Sequence, residues 1–147
     1  GMQMADVEVD TETGQVKVLK LVCAKDIGRA INPMAVEGQI EGGAQMGLGY
    51  ALSEEVVVKE GKVMNPNFVD YRLFTSADMP EIENILIESN DPEGPFGAKG
   101  VGEMGSSCVA AAVTNAIYDA VGVRLTQAPM TPERVLAALD ALEKATD

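Results

Sequence analysis

The 147-residue chain is 46% hydrophobic with a formal net charge of −12, which suits one domain with a real core and excludes a disordered chain. The acidic surplus argues against nucleic acid or an anionic membrane as partner, and no apolar run is long enough for a transmembrane helix. Histidine is absent, which excludes a Ser-His-Asp triad, a histidine general acid and most zinc sites.

Gly1-Met2 reads as a tag remnant or a chosen boundary before a native start, and the N-terminus lacks a signal-peptide pattern. Ala5 to Asp10 alternates, with Val7 and Val9 on one face. Thr11 to Gly14 is a turn, and Gln15 to Cys23 alternates again through Val16 and Val18. The phase then shifts to Leu19, Leu21 and Cys23, which predicts a hairpin with a bulge or a twist there. Asn32-Pro33 is an N-cap followed by a first helical residue, predicting a helix to about Leu52. That helix carries Gly38, Gly42, Gly43, Gly47 and Gly49. Each weakens it by about 0.8–1 kcal/mol relative to alanine, unless another backbone or a bulky ligand packs very close.

Glu54 to Val58, Glu60-Gly61 and Lys62 to Met64 form a second hairpin, and Asn65 to Pro80 is irregular. Ile82 to Glu88 reads as a strand with Ile85 and Ile87 in phase, and Asp91 to Gly102 as a Gly/Pro-rich loop. Val109, Ala112, Val113, Ala116, Ile117, Ala120 and Val121 mark a helix that Ser106 or Ser107 caps and Gly122 ends. Thr131-Pro132-Glu133 opens a last helix with Val135, Leu136, Leu139 and Leu142 in its apolar stripe. The fold class is α+β, with β-hairpins, a mixed sheet and about three helices.

The segment Gly97-Ala98-Lys99-Gly100-Val101-Gly102-Glu103 stands out, because glycines let a backbone approach a ligand and a carboxylate closes the loop. Glu103 is either a general base or a favourable partner for a helix dipole. Lys99 is either a phosphate-contacting cation or a solvated surface lysine. The loop is neither a P-loop nor a dinucleotide fingerprint. Gln39 and Gln45, on the glycine-rich helix, offer amides to a heteroaromatic cofactor or simply face solvent. Glu37, Glu41, Glu54 and Glu55 read as a solvated acidic face, and Met34, Met46, Met64, Met79, Met104 and Met130 as core filler. Cys23 and Cys108 have no metal-ligand spacing and read as reduced thiols of a cytoplasmic protein; no metal-ligating side chains are expected.

Three blocks carry a resemblance. The first is Asp26-Ile27-Gly28-Arg29-Ala30-Ile31-Asn32-Pro33, leading to Gly38-Gln39-Ile40-Glu41-Gly42-Gly43-Ala44-Gln45-Met46-Gly47. The second is Asn67-Phe68-Val69-Asp70-Tyr71. The third runs from Gly97 through Glu103 to Asn115-Ala116-Ile117-Tyr118-Asp119-Ala120 and Thr131-Pro132-Glu133. In order and spacing they resemble the molybdenum hydroxylases, the xanthine dehydrogenase and aldehyde oxidase type. Residues 1–147 are similar to the C-terminal portion of the molybdopterin-binding domain. The family carries proline soon after its glutamate in many members, where this chain has Met104-Gly105-Ser106-Ser107-Cys108.

The resemblance implies an oxidoreductase that hydroxylates a heterocycle (purine or nicotinate-like) or an aldehyde, with water as oxygen donor and Glu103 as general base. It implies that Gln39, Gln45, Lys99, Gly100, Val101 and Gly102 contact the molybdopterin cofactor, in simple or dinucleotide form. It places the remaining half of the molybdenum subunit, the 2Fe-2S iron–sulfur centres and FAD on partner chains. Alone, the chain is expected to be inactive and to form a homo-oligomer through newly bared surface. The competing reading is a non-catalytic structural or assembly fragment that folds but binds no cofactor.

Overall fold

Strand β1 (Met2–Val9) pairs antiparallel with β2 (Val16–Asp26) in a computed structural model that describes residues 1–146. The register steps from Asp6↔Lys20 to Val7↔Val18, so Leu19 is the extra residue of a bulge. This is where the alternation changes phase. The strand extends back to Met2, so the residues before Ala5 belong to the sheet. Strand β5 (Glu81–Ile87) adds to β2 in parallel, giving a mixed sheet of order β1-β2-β5. Strands β3 (Val58–Lys59) and β4 (Lys62–Val63) form a separate short hairpin.

Helix α1 (Pro33–Leu52) begins where Asn32 Oδ1 accepts from Ala35 N–H at 3.2 Å. Its Ile40, Ala44 and Leu48, spaced by four, are fully buried and meet Leu21 and Cys23 in the core. Helix α2 (Val109–Val121) buries Val109, Val113 and Ile117 at the same spacing. It ends at Gly122, whose φ of +74° is the left-handed cap that glycine adopts without strain. Ala120, expected in the apolar stripe, is exposed. Helix α3 (Pro132–Thr146) has Glu133 in its first turn and Val135 fully buried.

All of this packing lies on one face of the sheet. In β5 it is Ile82, Asn84 and Leu86 that turn inward; Ile85 and Ile87 share a face, but it is the outer one. The registers align Met2, Ala24 and Ile85 in one outer row and Met4, Val22 and Glu83 in the next. At the far end Lys20 pairs with Glu81 (3.4 Å) and Glu83 (2.7 Å). The outer face is thus apolar towards the end of β2 and charged towards its start.

Two expectations fail for tertiary reasons. Glu54 is not on a solvated face: it is 8% exposed, lies against Gly49, and accepts a hydrogen bond from Tyr71 Oη at 2.6 Å. Met34, Met46 and Met64 are not core filler, being 78%, 46% and 53% exposed, because α1 and the second hairpin have layers on one side only. Met130, in contrast, is in the core.

Candidate functional site

The glycine loop leaves the sheet beside the C-terminal ends of the two parallel strands, and its position is fixed at both ends. At the first end, Lys99 N–H donates to Ile27 O at 3.0 Å, directly after β2. Gly28 makes this approach feasible: its φ is +67°, and a Cβ there would collide with Gly97 O and stand 2.9 Å from Lys99 N. Asp26 then ties three segments together. Its Oδ1 accepts from Gly28 N–H (3.0 Å) and Ser89 Oγ (2.8 Å), and its Oδ2 meets Lys99 Nζ at 2.7 Å. The Lys99 ammonium, with the two other donors, holds the Asp26 carboxyl far below the usual carboxylate range, and Asp26 raises Lys99 in return.

At the second end, Gly105 seats against α1. A Cβ on Gly105 would lie 2.7 Å from Ile40 O, 2.9 Å from Gly43 Cα and 3.1 Å from Gln39 O. A Cβ on Gly43 would lie 2.7 Å from Gly105 Cα, and one on Gly47 2.6 Å from Val109 Cβ. Close backbone packing therefore explains Gly43, and the Val109 side chain packed on the helix explains Gly47. Gln3 completes the anchorage: its Nε2 donates to Gly105 O at 2.6 Å and its Oε1 accepts from Cys108 N–H at 3.2 Å. Gln3, not a serine, thus serves the start of α2. Ser106 and Ser107 turn their hydroxyls back to Glu103 O and Met104 O instead, and α2 begins only at Val109.

Between these anchors Val101 packs on the core, while Gly100, Gly102 and Glu103 are exposed. Among the described residues, the backbone N–H groups from Gly100 to Gly105 have no acceptor. Five glycines have nothing within 4 Å of an added Cβ: Gly38 and Gly42 on α1, Gly100 and Gly102 on the loop, and Gly61 in the turn of the short hairpin. In α1 the protein itself thus gives no packing reason for Gly38 and Gly42.

The structure brings Gln39 and the Glu103–Gly105 turn together through Gly105. Gln39 is exposed on α1. Gln45 is not gathered with them: its Nε2 donates to Phe74 O at 2.9 Å and holds the irregular segment to α1. The Lys99 ammonium is committed to Asp26. Residues that the sequence reading did not single out are Asp26, Ser89 and Gln3. A carboxylate ending an alternating strand two residues before a glycine is an Asx-turn signal that points to Asp26; Ser89 and Gln3 have no local signal. Cys23 is fully buried, and burial pushes its thiol up, as for an inert core cysteine. A groove of about 1140 Å³ lies at the opposite end of β2, between Val16–Leu19 and the 68–81 segment. Among the described residues no group of His, Cys, Asp or Glu gathers to hold a metal ion, and no helix is long and apolar enough to cross a membrane.

A family model described as the molybdopterin cofactor-binding domain matches residues 1–80. The chain is 39% identical over 137 residues to the xanthine dehydrogenase molybdenum-binding subunit of Escherichia coli O157:H7, covering 92% of this chain and 18% of that protein. It is 38% identical over 149 residues to the 6-hydroxypseudooxynicotine dehydrogenase complex subunit gamma of Paenarthrobacter nicotinovorans, covering 99% and 19% respectively. The crystal structure of quinoline 2-oxidoreductase from Pseudomonas putida 86 aligns with a TM-score of 0.84 at 35% identity, over 91% of this chain and 18% of that one. The aldehyde oxidoreductase from Desulfovibrio gigas aligns with a TM-score of 0.87 at 37% identity, over 94% and 15%. The chain spans about a fifth of the length of these curated relatives.

Proposed function

The chain belongs to the molybdenum hydroxylase family, through its molybdopterin cofactor-binding domain, and on that premise we propose that it forms one wall of the cofactor site in a molybdenum-dependent oxidoreductase. The observation that carries this reading is the bare backbone around the loop. Gly38, Gly42, Gly100 and Gly102 have no covering atoms within 4 Å of a Cβ position, and the N–H groups from Gly100 to Gly105 have no acceptor among the described residues. A flat, hydrogen-bonding cofactor needs unobstructed backbone of this kind, and a run of free amides suits its polar edges. The residues present therefore fit the group.

Molybdopterin, in simple or dinucleotide form, supplies the redox chemistry when bound. The chain supplies the setting. Gly100, Val101 and Gly102 present backbone to the cofactor, and Gln39 offers an amide from α1. Gln45 and Lys99 act one step back, since their polar atoms are already engaged with Phe74 and Asp26. Glu103 is the general base: exposed at the end of the loop, its carboxylate takes the proton of the water-derived oxygen that reaches the substrate. Such catalysis is worth about 10²–10⁴-fold in rate. The substrate is a heterocycle or an aldehyde, the chemical classes named in the relatives. The rest of the pocket belongs to the remaining part of the molybdenum subunit, with 2Fe-2S and FAD on further chains. The relatives' naming as subunits of larger complexes supports this division.

The test is purification with the products of its neighbouring genes, followed by elemental analysis and turnover. Molybdenum is expected in the complex, and Glu103→Gln should lower kcat by about 10²–10⁴-fold while the metal content stays the same. Full turnover in Glu103→Gln would remove the base assignment. A folded complex that never acquires molybdenum would favour the non-catalytic assembly reading.

A further inference from the structure

We propose that Asp26 is a positioning residue for the glycine loop: by holding the Lys99 ammonium, it sets the place and direction of Gly100 to Glu103. The proposal rests on the reading of that loop as a cofactor wall, and it assigns the aiming of the wall to a residue outside it. Gly100 and Gly102 have no side chains with which to fix themselves, and nothing lies within 4 Å of their Cβ positions. The backbone N–H groups from Gly100 to Gly105 find no acceptor among the described residues. The last residue before this run whose backbone and side chain are both fastened is Lys99. Its N–H donates to Ile27 O at 3.0 Å and its Nζ meets Asp26 Oδ2 at 2.7 Å.

Both contacts go to consecutive residues at the end of one strand. Two bonds from one residue to one rigid element fix orientation as well as distance, so the chain leaves Lys99 in a set direction. Asp26 is itself immobilised. Gly28 N–H at 3.0 Å and Ser89 Oγ at 2.8 Å occupy its other oxygen, and Asp26 lies opposite Ile87 in the parallel register. Ile27 N–H donates to Ile87 O at 2.9 Å and Asn90 N–H to Gly28 O at 2.8 Å, so the ends of both parallel strands stand behind it. An isolated ion pair with side chains 35% and 36% exposed would contribute little to stability. Its effect here is on order: it removes freedom from a loop that has no other side-chain tie until Val101 and Gly105.

The experiment is backbone ¹⁵N relaxation on the 147-residue chain, comparing wild type with Asp26→Asn, Lys99→Met and Lys99→Arg. Wild type is expected to show order parameters near 0.85 through residues 99–103, falling below about 0.6 in Asp26→Asn and Lys99→Met. The values in β1, β2 and α2 should stay unchanged. Lys99→Arg keeps a cation within reach of Asp26 and should retain the order, which a merely structural loss of packing would not predict. Unchanged order parameters at Gly100 to Glu103 in Asp26→Asn would overturn the proposal, as would a uniform loss of order across the domain. If Asp26→Asn does not fold, Lys99→Met carries the same two outcomes, because its side chain lies at the surface. Neither readout involves molybdenum, so a complex without the metal would count against the cofactor reading and leave this measurement standing.

Discussion

Gly42 and Gly43 are neighbours on α1 with opposite surroundings, so alanine at the two positions should act in opposite senses. At Gly42 an added Cβ meets nothing within 4 Å, and helix propensity alone operates. Alanine should then stabilise the chain by about 0.8–1 kcal/mol. At Gly43 the same atom would stand 2.7 Å from Gly105 Cα, 2.9 Å from Gly105 C and 3.0 Å from Ser106 N. All three are backbone atoms of a turn pinned by Gln3, so the contact cannot be relieved by a side-chain rotation. Overpacking of this kind costs about 1–3 kcal/mol. Because both variants gain the same propensity, their difference isolates the contact: about 1–3 kcal/mol, or roughly 2–12 °C in Tm for a domain of this size. Thermal and urea unfolding of the two variants beside wild type measures it. Equal Tm values, or a Gly42→Ala variant less stable than wild type, would refute the packing argument. A second arm joins it to function. If the proposed cofactor wall holds, the stabilising Gly42→Ala should lower molybdenum content in the assembled complex, since its Cβ would cover backbone that is bare in this chain.

Two further outcomes are expected. Tyr71→Phe removes the phenol that donates to the buried Glu54 carboxylate at 2.6 Å, and a hydrogen bond to a charged group is worth about 1.5–3 kcal/mol. The Glu54 carboxylate that accepts its hydrogen bond pushes the Tyr71 phenol from 10.0 up to about 12, so the folded state holds that proton more tightly than the unfolded one. Its stabilising effect is complete below pH 10 and is lost as pH rises towards 12, a decline that urea titrations should show in wild type and not in Tyr71→Phe. On the outer sheet face Ile85 is 43% exposed; Ile85→Lys should leave stability within about 0.5 kcal/mol and reduce self-association in sedimentation, and unchanged association would place any oligomer contact elsewhere.

Parallel pairs are usually covered on both faces, yet β2 and β5 carry helices on one side only. Met2, Met4, Ile85 and Ile87 are 70%, 57%, 43% and 48% exposed there. Among the described residues this apolar face has no covering layer. Met34 and Met46 on α1 are exposed in the same way, at 78% and 46%. An apolar residue in a sequence does not by itself say whether anything covers it.

Much of the fold was legible because its signals are local. The bulge at Leu19 is a change of phase between adjacent residues. Asn32-Pro33, Gly122 and Thr131-Pro132-Glu133 mark helix ends through contacts a few residues long. Glu103 and its glycines were visible as composition within seven positions, and the family pattern gave them roles. What only the tertiary structure decided is how that loop is held. Lys99 reaches Asp26 across 73 positions and Gln3 reaches Gly105 across 102, and no periodicity links residues so far apart. The same folding buried Glu54 against Gly49 and Tyr71, and separated the glycines that face backbone from those left bare. Local sequence determined the elements and the candidate base. Long-range packing determined which polar groups are already satisfied and which have no acceptor among the described residues.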